Sequence, residues 1–318
     1  MQPVLPQDAA AIAEHQRIRA QIEKHPCYCK SAHTKFARIH LPVAPRCNIQ
    51  CNYCNHKYDC SNESRPGVTS SILSPQAAIE RLKMTMEQVP NLSVVGFAGP
   101  GDALANPEEV FATASMVRSL NPDLILCLST NGLALPELAD EVIAQKFGHV
   151  TVTMNTINPA IGADIYRWVK DGTITLHGEE GAALLHERQL AGIRRLTAAG
   201  VLVKVNTVMI PGINDTDIPN VASTIKAAGV FIHNIIPLIC QPEHGTVFGE
   251  MGIREPQHQE IVAVRKACGV IMGGADRVMS HCKQCRADAI GMLGKDITLN
   301  QPAAHGGCKK QGDQKIAG

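Results

Sequence analysis

An α/β fold carried on a parallel sheet is what this sequence predicts, and three features lead there. Apolar runs rich in β-branched residues alternate with helix-like stretches from about residue 37 onward. Six such strand–helix units follow one another. No Pro/Ser linker or change of composition divides positions 30–300, so the units belong to one domain. Parallel strands joined by right-handed crossovers then wind into a barrel or an open doubly wound sheet.

In chain order the strands are "FARIHLPVA" (36–44), "LSVVGFAG" (92–99), "LILCLSTN" (124–131), "HVTVTMNT" (149–156), "VLVKVNTVMI" (201–210) and "FIHNIIPLI" (231–239). The helix over 75–89 opens on Ser74 as cap with Pro75 in its first turn, and the helix over 107–120 starts behind Asn106-Pro107. Helical patterns also cover 136–146, 183–199 and 217–228. Residues 1–24 read as a helical N-terminal extension, 25–300 as the core, and 301–318, poor in apolar residues, as a flexible tail.

Charge and hydropathy exclude several partners. With 30 Lys+Arg against 29 Asp+Glu the net charge is +1, which gives no electrostatic footprint for nucleic acid or an anionic membrane. The N-terminus lacks an apolar leader core, and no uninterrupted apolar run reaches about 18 residues. A soluble, unexported, cytoplasmic protein is expected. Twelve cysteines and 13 histidines are many for such a chain. Secreted disulfide scaffolds are short and loop-rich, so these cysteines read as reduced thiols and candidate metal ligands.

The densest group is "RCNIQCNYC" (46–54), which places Cys47, Cys51 and Cys54 directly behind the first strand. In a parallel barrel that is the carboxyl end, where active sites are built. A zinc ribbon would need a second ligand pair on short hairpins, and no hairpin pattern is evident around this segment. The spacing Cx3CxxC, with Tyr53 before the last cysteine, resembles the signature of the radical S-adenosylmethionine (SAM) superfamily. The resemblance implies that three thiolates hold a [4Fe-4S] cluster and leave its fourth iron open to chelate SAM. It also implies a partial (βα)6 TIM-type barrel with N- and C-terminal extensions closing its catalytic rim.

Later strand ends carry further candidates for SAM binding. Gly99, Gly101 and Asp102 lie in "GPGDAL", where glycines let backbone approach closely, and the alternative is an ordinary tight turn. Ser129, Asn131, Asn155 and Asn206 recur at strand ends, as a polar ligand would need, or else they cap the strands. Glu63 and Arg65 follow the cysteine loop and are placed to orient SAM or relay a proton; the plainer reading is a surface ion pair.

The remaining cysteines narrow the resemblance. "HPCYCKSAHTKFARIHLPVAPRCNIQCNYC", "ESRP" (63–66), "GFAGPGDALANP" (96–107) and "HCKQCRADAIG" together resemble the NifB family, which makes a metal-cluster precursor of nitrogenase cofactors. Longer members carry a C-terminal carrier-like domain, which this sequence is expected to lack, leaving delivery of product to a separate carrier or scaffold protein. Two further [4Fe-4S] clusters are implied as substrates, supplied by a cluster donor. They fuse into an eight-iron cluster around a carbide from the SAM methyl group, with a sulfur added from outside. Mapped by this resemblance, one substrate cluster takes Cys27, Cys60, Cys127 and a nitrogen from His25, with His33, His40 and His281 as rivals; the other takes Cys29, Cys282 and Cys285. Cys27 and Cys29 flank Tyr28, and in an extended segment they would point opposite ways. Duller readings are a packed thiol at Cys127 and zinc at Cys282/Cys285, while Cys240, Cys268 and Cys308 are assigned to packing or the tail. Two other functions stay open: a radical SAM enzyme with auxiliary clusters acting on an organic substrate, and a non-catalytic cluster scaffold.

Overall fold

The computed structural model describes residues 9–62 and 64–299. Its elements run α1 (Ala9–Gln21), β1 (Ala37–Pro42), β2 (Ile49–Cys51), α2 (Pro75–Gln88), β3 (Leu92–Ala98), α3 (Pro107–Leu120), β4 (Ile125–Thr130), α4 (Leu135–Ala144) and β5 (His149–Thr153). There follow α5 (Pro159–Ile165), β6 (Tyr166–Asp171), β7 (Ile174–Leu176), α6 (Gly178–Ala198), β8 (Leu202–Met209), α7 (Ile218–Ala227), β9 (Ile232–Pro237), α8 (Val247–Glu250), α9 (His258–Met272), β10 (Ile290–Met292) and β11 (Lys295–Asp296).

β1, β3, β4, β5, β8 and β9 are adjacent and parallel, in chain order, which is the partial (βα)6 barrel. Each of the six expected strands is present, and the five expected helices fall on α2, α3, α4, α6 and α7. Ser74 caps α2 by accepting from the Ala77 N–H at 3.2 Å, as its position before Pro75 predicts.

The two faces of the barrel strands differ in chemistry because side chains alternate along a strand. Ile39, Val95, Leu126, Val150, Val203 and Ile235 join one apolar cluster with helix residues such as Leu82, Leu135 and Ile225. Their neighbours one step along, among them His40, Gly96, Cys127, Thr151 and Lys204, line a cavity inside the barrel. An ordinary barrel fills its interior with branched apolar residues; this one keeps a polar, thiol-bearing space.

Six strands leave a seam between β9 and β1, and the segment after α9 crosses it. Met279 N–H donates to His233 O on β9 at 2.8 Å, and Ile290 pairs with Ile39 of β1. Between these anchors Cys285 bridges to Ser64, and Ala287 N–H donates to the buried Asp59 carboxylate at 3.0 Å. The strap thus ties the seam to the loop following the cysteine triplet.

The N-terminal "HPCYC" segment departs from expectation. It is a helical turn, not an extended strand, because His25 O accepts from both Tyr28 N–H (3.0 Å) and Cys29 N–H (3.1 Å). Nor does it lie at the triplet's rim. Tyr28 is buried, and its hydroxyl finds acceptors in Val150 O (3.2 Å) and Leu202 O (3.1 Å), near the amino ends of β5 and β8. Burying that hydroxyl requires such partners, so the turn is held at the end of the barrel opposite the triplet.

A further departure surrounds the triplet itself. β2 pairs antiparallel with β6, which forms a hairpin with β7, so a small three-stranded sheet sits on the rim. The signal was "VKDGTIT", a Gly-bearing turn between β-branched residues, with Gly172 at φ 57°. The hairpin strands carry no cysteine and supply no ligand pair of the zinc-ribbon kind.

Candidate active site

The triplet loop is built by close backbone contacts. A Cβ on Gly99 would stand 2.2 Å from Ala44 O and one on Gly101 would stand 2.0 Å from Arg46 O, so only glycine lets the two loops touch. Gly101 N–H donates to Ala44 O at 2.9 Å, and Asp102 N–H to Arg46 O at 2.8 Å. These bonds fix the chain immediately before Cys47. The Asp102 carboxylate accepts from Leu104 N–H (2.9 Å), Thr130 Oγ1 (3.0 Å) and Asn131 N–H, tying the loop to the end of β4. Burial raises its pKa to about 6 despite these donors.

Cys51 and Cys54 are buried and Cys47 partly so. Burial pushes all three thiols above their ordinary pKa, and the charges of Cys54 and Cys47 add to the rise at Cys51. Burial keeps these thiols neutral on their own, and ionising them together in so desolvated a site would need a cation beside them, as the irons of a cluster would be. Polar groups around the sulfurs suit such a group: Asn131 Nδ2 lies 3.8 Å from Cys47 Sγ, and the nearby polar groups of Asn62 and Ser61 favour the ionised forms of Cys51 and Cys54. Among the described residues no three His, Cys or carboxylate side chains converge on a point that would hold a single metal ion.

The strand-end amides form a buried network. Tyr53 Oη donates to Asn62 Oδ1 (2.5 Å) and accepts from Asn155 Nδ2 (2.6 Å). Asn206 Nδ2 donates to Asn62 O (2.9 Å) and Asn206 Oδ1 accepts from Asn234 Nδ2 (3.0 Å). Asn131 is likewise engaged, with Asn48 Oδ1 at 2.6 Å. This chain of bonds links the triplet to the interior cavity. Asn234 and Lys204, both on the cavity wall, were missed in the sequence; the polar positions alternating within "VLVKVNTVMI" and "FIHNIIPLI" were the available signal.

Cys27, Cys127, Cys282 and Cys285 all line that cavity. Cys127 enters from β4, Cys27 from the N-terminal turn, and the other two from the strap. Cys285 receives a hydrogen bond from Arg38 Nη2 at 3.1 Å, and burial raises its pKa to about 11. Cys29 is half-buried with its Sγ 3.0 Å from Ser31 Oγ, and it is not among the residues lining that cavity. Cys60 N–H donates to Gly99 O at 3.1 Å, placing it in the loop between triplet and strap.

Of the imidazoles, His25 is buried against Tyr28 and His149, and its Nδ1 accepts from Cys27 N–H at 3.2 Å. With that bond made, Nε2 is left buried with no hydrogen-bond partner. His40 is arranged the other way. Its Nδ1 donates to Arg286 O at 3.0 Å, and its ring lines the cavity beside Gly96, whose Cβ would meet His40 Cδ2 at 2.8 Å. His281 Nε2 engages Pro26 O at 3.1 Å, and His33 stacks on His281. Ser129 lines the cavity, not the rim, and Arg65 is exposed. Glu63 and Cys308 lie outside the described residues. Cys268 is buried in α9, and Cys240 is buried beside Thr246.

The radical SAM superfamily model matches residues 41–225, more than half of the chain. The chain belongs to the radical SAM superfamily. It is 54% identical over 272 residues to the FeMo cofactor biosynthesis protein NifB of Klebsiella pneumoniae, covering 86% of this chain and 57% of that protein. It is 49% identical over 281 residues to the NifB of Azotobacter vinelandii, covering 88% and 55%. The resemblance to NifB read from the motifs is thereby borne out, and the chain spans little more than half the length of these relatives. A radical SAM methyltransferase from Sphaerobacter thermophilus shares the fold at TM-score 0.52 and 14% identity, over 76% of this chain and 65% of that one. No helix among the described residues is long and apolar enough to cross a membrane.

Proposed function

We propose that this protein fuses two [4Fe-4S] clusters, inserting a carbide from the SAM methyl group and an added sulfur, to form the eight-iron precursor of the nitrogenase cofactor. The observation that carries this reading is the polar barrel interior, where Cys27, Cys127, Cys282 and Cys285 line one cavity below a radical SAM triplet. The relatives' role in FeMo cofactor biosynthesis, as their name gives it, supports the reading.

Cys47, Cys51 and Cys54 would hold the resident cluster, and the backbone clamp of Gly99 and Gly101 keeps their loop rigid. When bound, that cluster supplies the electron that cleaves SAM to a 5′-deoxyadenosyl radical. Glu63 and Arg65 are assigned to orienting SAM, with the "GPGDAL" loop, Ser129, Asn131, Asn155 and Asn206 forming its surroundings. The substrate clusters are assigned to the interior thiols, with Cys29 and Cys60 as further ligands. His40 fits the nitrogen ligand better than His25, because a backbone carbonyl holds its Nδ1 proton and leaves Nε2 as the acceptor. Incomplete thiolate ligation leaves open iron where bonds can rearrange and from which product can leave. A cluster donor and a carrier protein of nitrogenase assembly are the proposed partners, and the cytoplasm the proposed compartment.

Anaerobic reconstitution followed by reaction with SAM labelled in its methyl carbon tests the reading. The expected result is about twelve irons per chain before turnover and the label inside a larger iron-containing product afterwards. Label confined to small organic products would sink it in favour of chemistry on an organic substrate. Absence of 5′-deoxyadenosine would favour a scaffold.

A further inference from the structure

The strap that crosses the seam is a wall with two faces. Cys282 and Lys283 line the interior cavity together with Cys27, Cys127 and Cys285. The same two residues line a second groove of about 470 Å³, open to solvent between the end of β9 and the start of α9. This stretch of strap therefore separates the groove from the cavity. Its backbone ties stand on either side of it: Met279 N–H donates to His233 O at 2.8 Å before it, and after it Cys285 bridges to Ser64 and Ala287 N–H donates to Asp59. Residues 279–289 belong to no helix or strand, and Gln284 turns the chain at φ 47°, a conformation that L side chains rarely adopt.

The other walls are firmer. Parallel ladders join β1 through β9, and Ile18, Tyr28, Leu202, Ile232 and Met279 pack together at the end that holds the N-terminal turn. The cavity itself measures about 50 Å³, room for only a few waters, so an iron–sulfur cube enters only when a wall moves. The groove carries a charge suited to that cargo. Arg265 and Lys283 line it, and its carboxylate, Glu255, accepts from Cys240 N–H (3.1 Å) and Gln241 Nε2 (2.7 Å). Arg265 Nε and Nη2 both donate to Ile235 O, at 3.2 and 2.7 Å, which fixes the guanidinium where a Cys282 thiolate favours its charge. A thiolate-ligated [4Fe-4S] cluster is an anion, and cations at a mouth draw anions in.

We propose that this groove is the passage for iron–sulfur clusters, with Cys282 the first thiol to take an incoming cluster and the strap the door. The proposal rests on the cluster-fusion reading for the identity of the cargo, and on the shared wall for the route. An iron–sulfur bond to Cys282 forms as the bond to the carrier's thiolate breaks, the Cys282 proton passes to the departing thiolate, and no iron changes oxidation state. Movement of residues 282–284 then brings the bound cluster from groove to cavity.

The test follows anaerobic uptake of a synthetic [4Fe-4S] cluster bearing four small thiolates by the reduced, metal-free, full-length protein. Lys283→Glu, a change at an exposed position, is expected to slow uptake of the auxiliary irons roughly tenfold and to leave the triplet's four irons unaffected. Added salt should narrow the difference. A water-soluble alkylating reagent should modify Cys282 well before Cys127, as read by peptide mass spectrometry. Equal uptake rates in Lys283→Glu and the unsubstituted protein, or alkylation of Cys127 as fast as Cys282, would overturn the passage and leave the fusion reading intact. If the unsubstituted protein takes up only the triplet's four irons, the fusion reading itself fails, and that outcome is read from the wild type alone.

Discussion

The chain holds two sets of cysteines at different levels of the same barrel, and they are assembled in opposite ways. Cys47, Cys51 and Cys54 come from one short loop, clamped at its start by Gly99 and Gly101. Cys27, Cys127, Cys282 and Cys285 come from a turn at the amino ends of the strands, a strand interior and a strap across the seam. A cysteine set contained in one loop needs only that loop to be rigid. A set drawn from distant segments exists only while the strap, the turn and the sheet are all docked. Perturbing the first should therefore act locally, and perturbing the second should report on the whole barrel interior.

The largest effect that would sharpen this contrast is expected from Cys51→Ala. Loss of a buried thiolate ligand should lower 5′-deoxyadenosine formation by more than about a hundredfold, a loss at least as large as those seen for outer-shell partners of metal sites. Chromatography of the reaction mixture checks it, and retention of the interior iron would show the two sets to be separable. Cys127→Ala is next: about four irons per chain should be lost, while the SAM-dependent resonance signal of the triplet persists. Loss of both signals together would break the comparison.

Gly101→Ala probes the clamp. Its Cβ would meet the backbone of Arg46 at 2.0 Å, and backbone cannot step aside as a flexible side chain can. A destabilisation of about 1–3 kcal/mol is expected in denaturant unfolding of the metal-free chain. The smallest effect concerns Asp102, whose folded pKa of about 6 lies above the ordinary 3.8. The native state therefore holds this proton more tightly than the unfolded state, so stability is greater below the lower value and falls as pH rises through the window to the upper one. Asp102→Asn should flatten that part of the stability profile. Thermal unfolding across the window reads the difference, and an identical slope in the variant would remove Asp102 as its origin.

How much was legible depended on the range of the interactions. The six strands and five of the helices were readable because alternation, Pro at helix starts and the Ser74 cap are local signals. The triplet was readable for the same reason. The rim hairpin left a turn signal that competed with the strong helical pattern after it, and the path of "HPCYC" was misread because alternation was assumed where Pro26 and two hydrogen bonds to His25 O make a turn. Which imidazole enters the cavity had no local signature: the fold puts His40 on the cavity wall and packs His25 against Tyr28 and His149.

By itself, then, the sequence determined the barrel's strand order, the cysteine loop and the chemical kind of cofactor, since periodicity and ligand spacing are properties of neighbouring residues. Only the tertiary structure decided that the seam is crossed by the strap, that four thiols share a cavity whose wall does not include Cys29, and that Lys204 stands among them. The physical reason is that a buried hydroxyl, an unpaired sheet edge and a buried charge are satisfied by whatever part of the chain arrives beside them, and that arrival is fixed by packing.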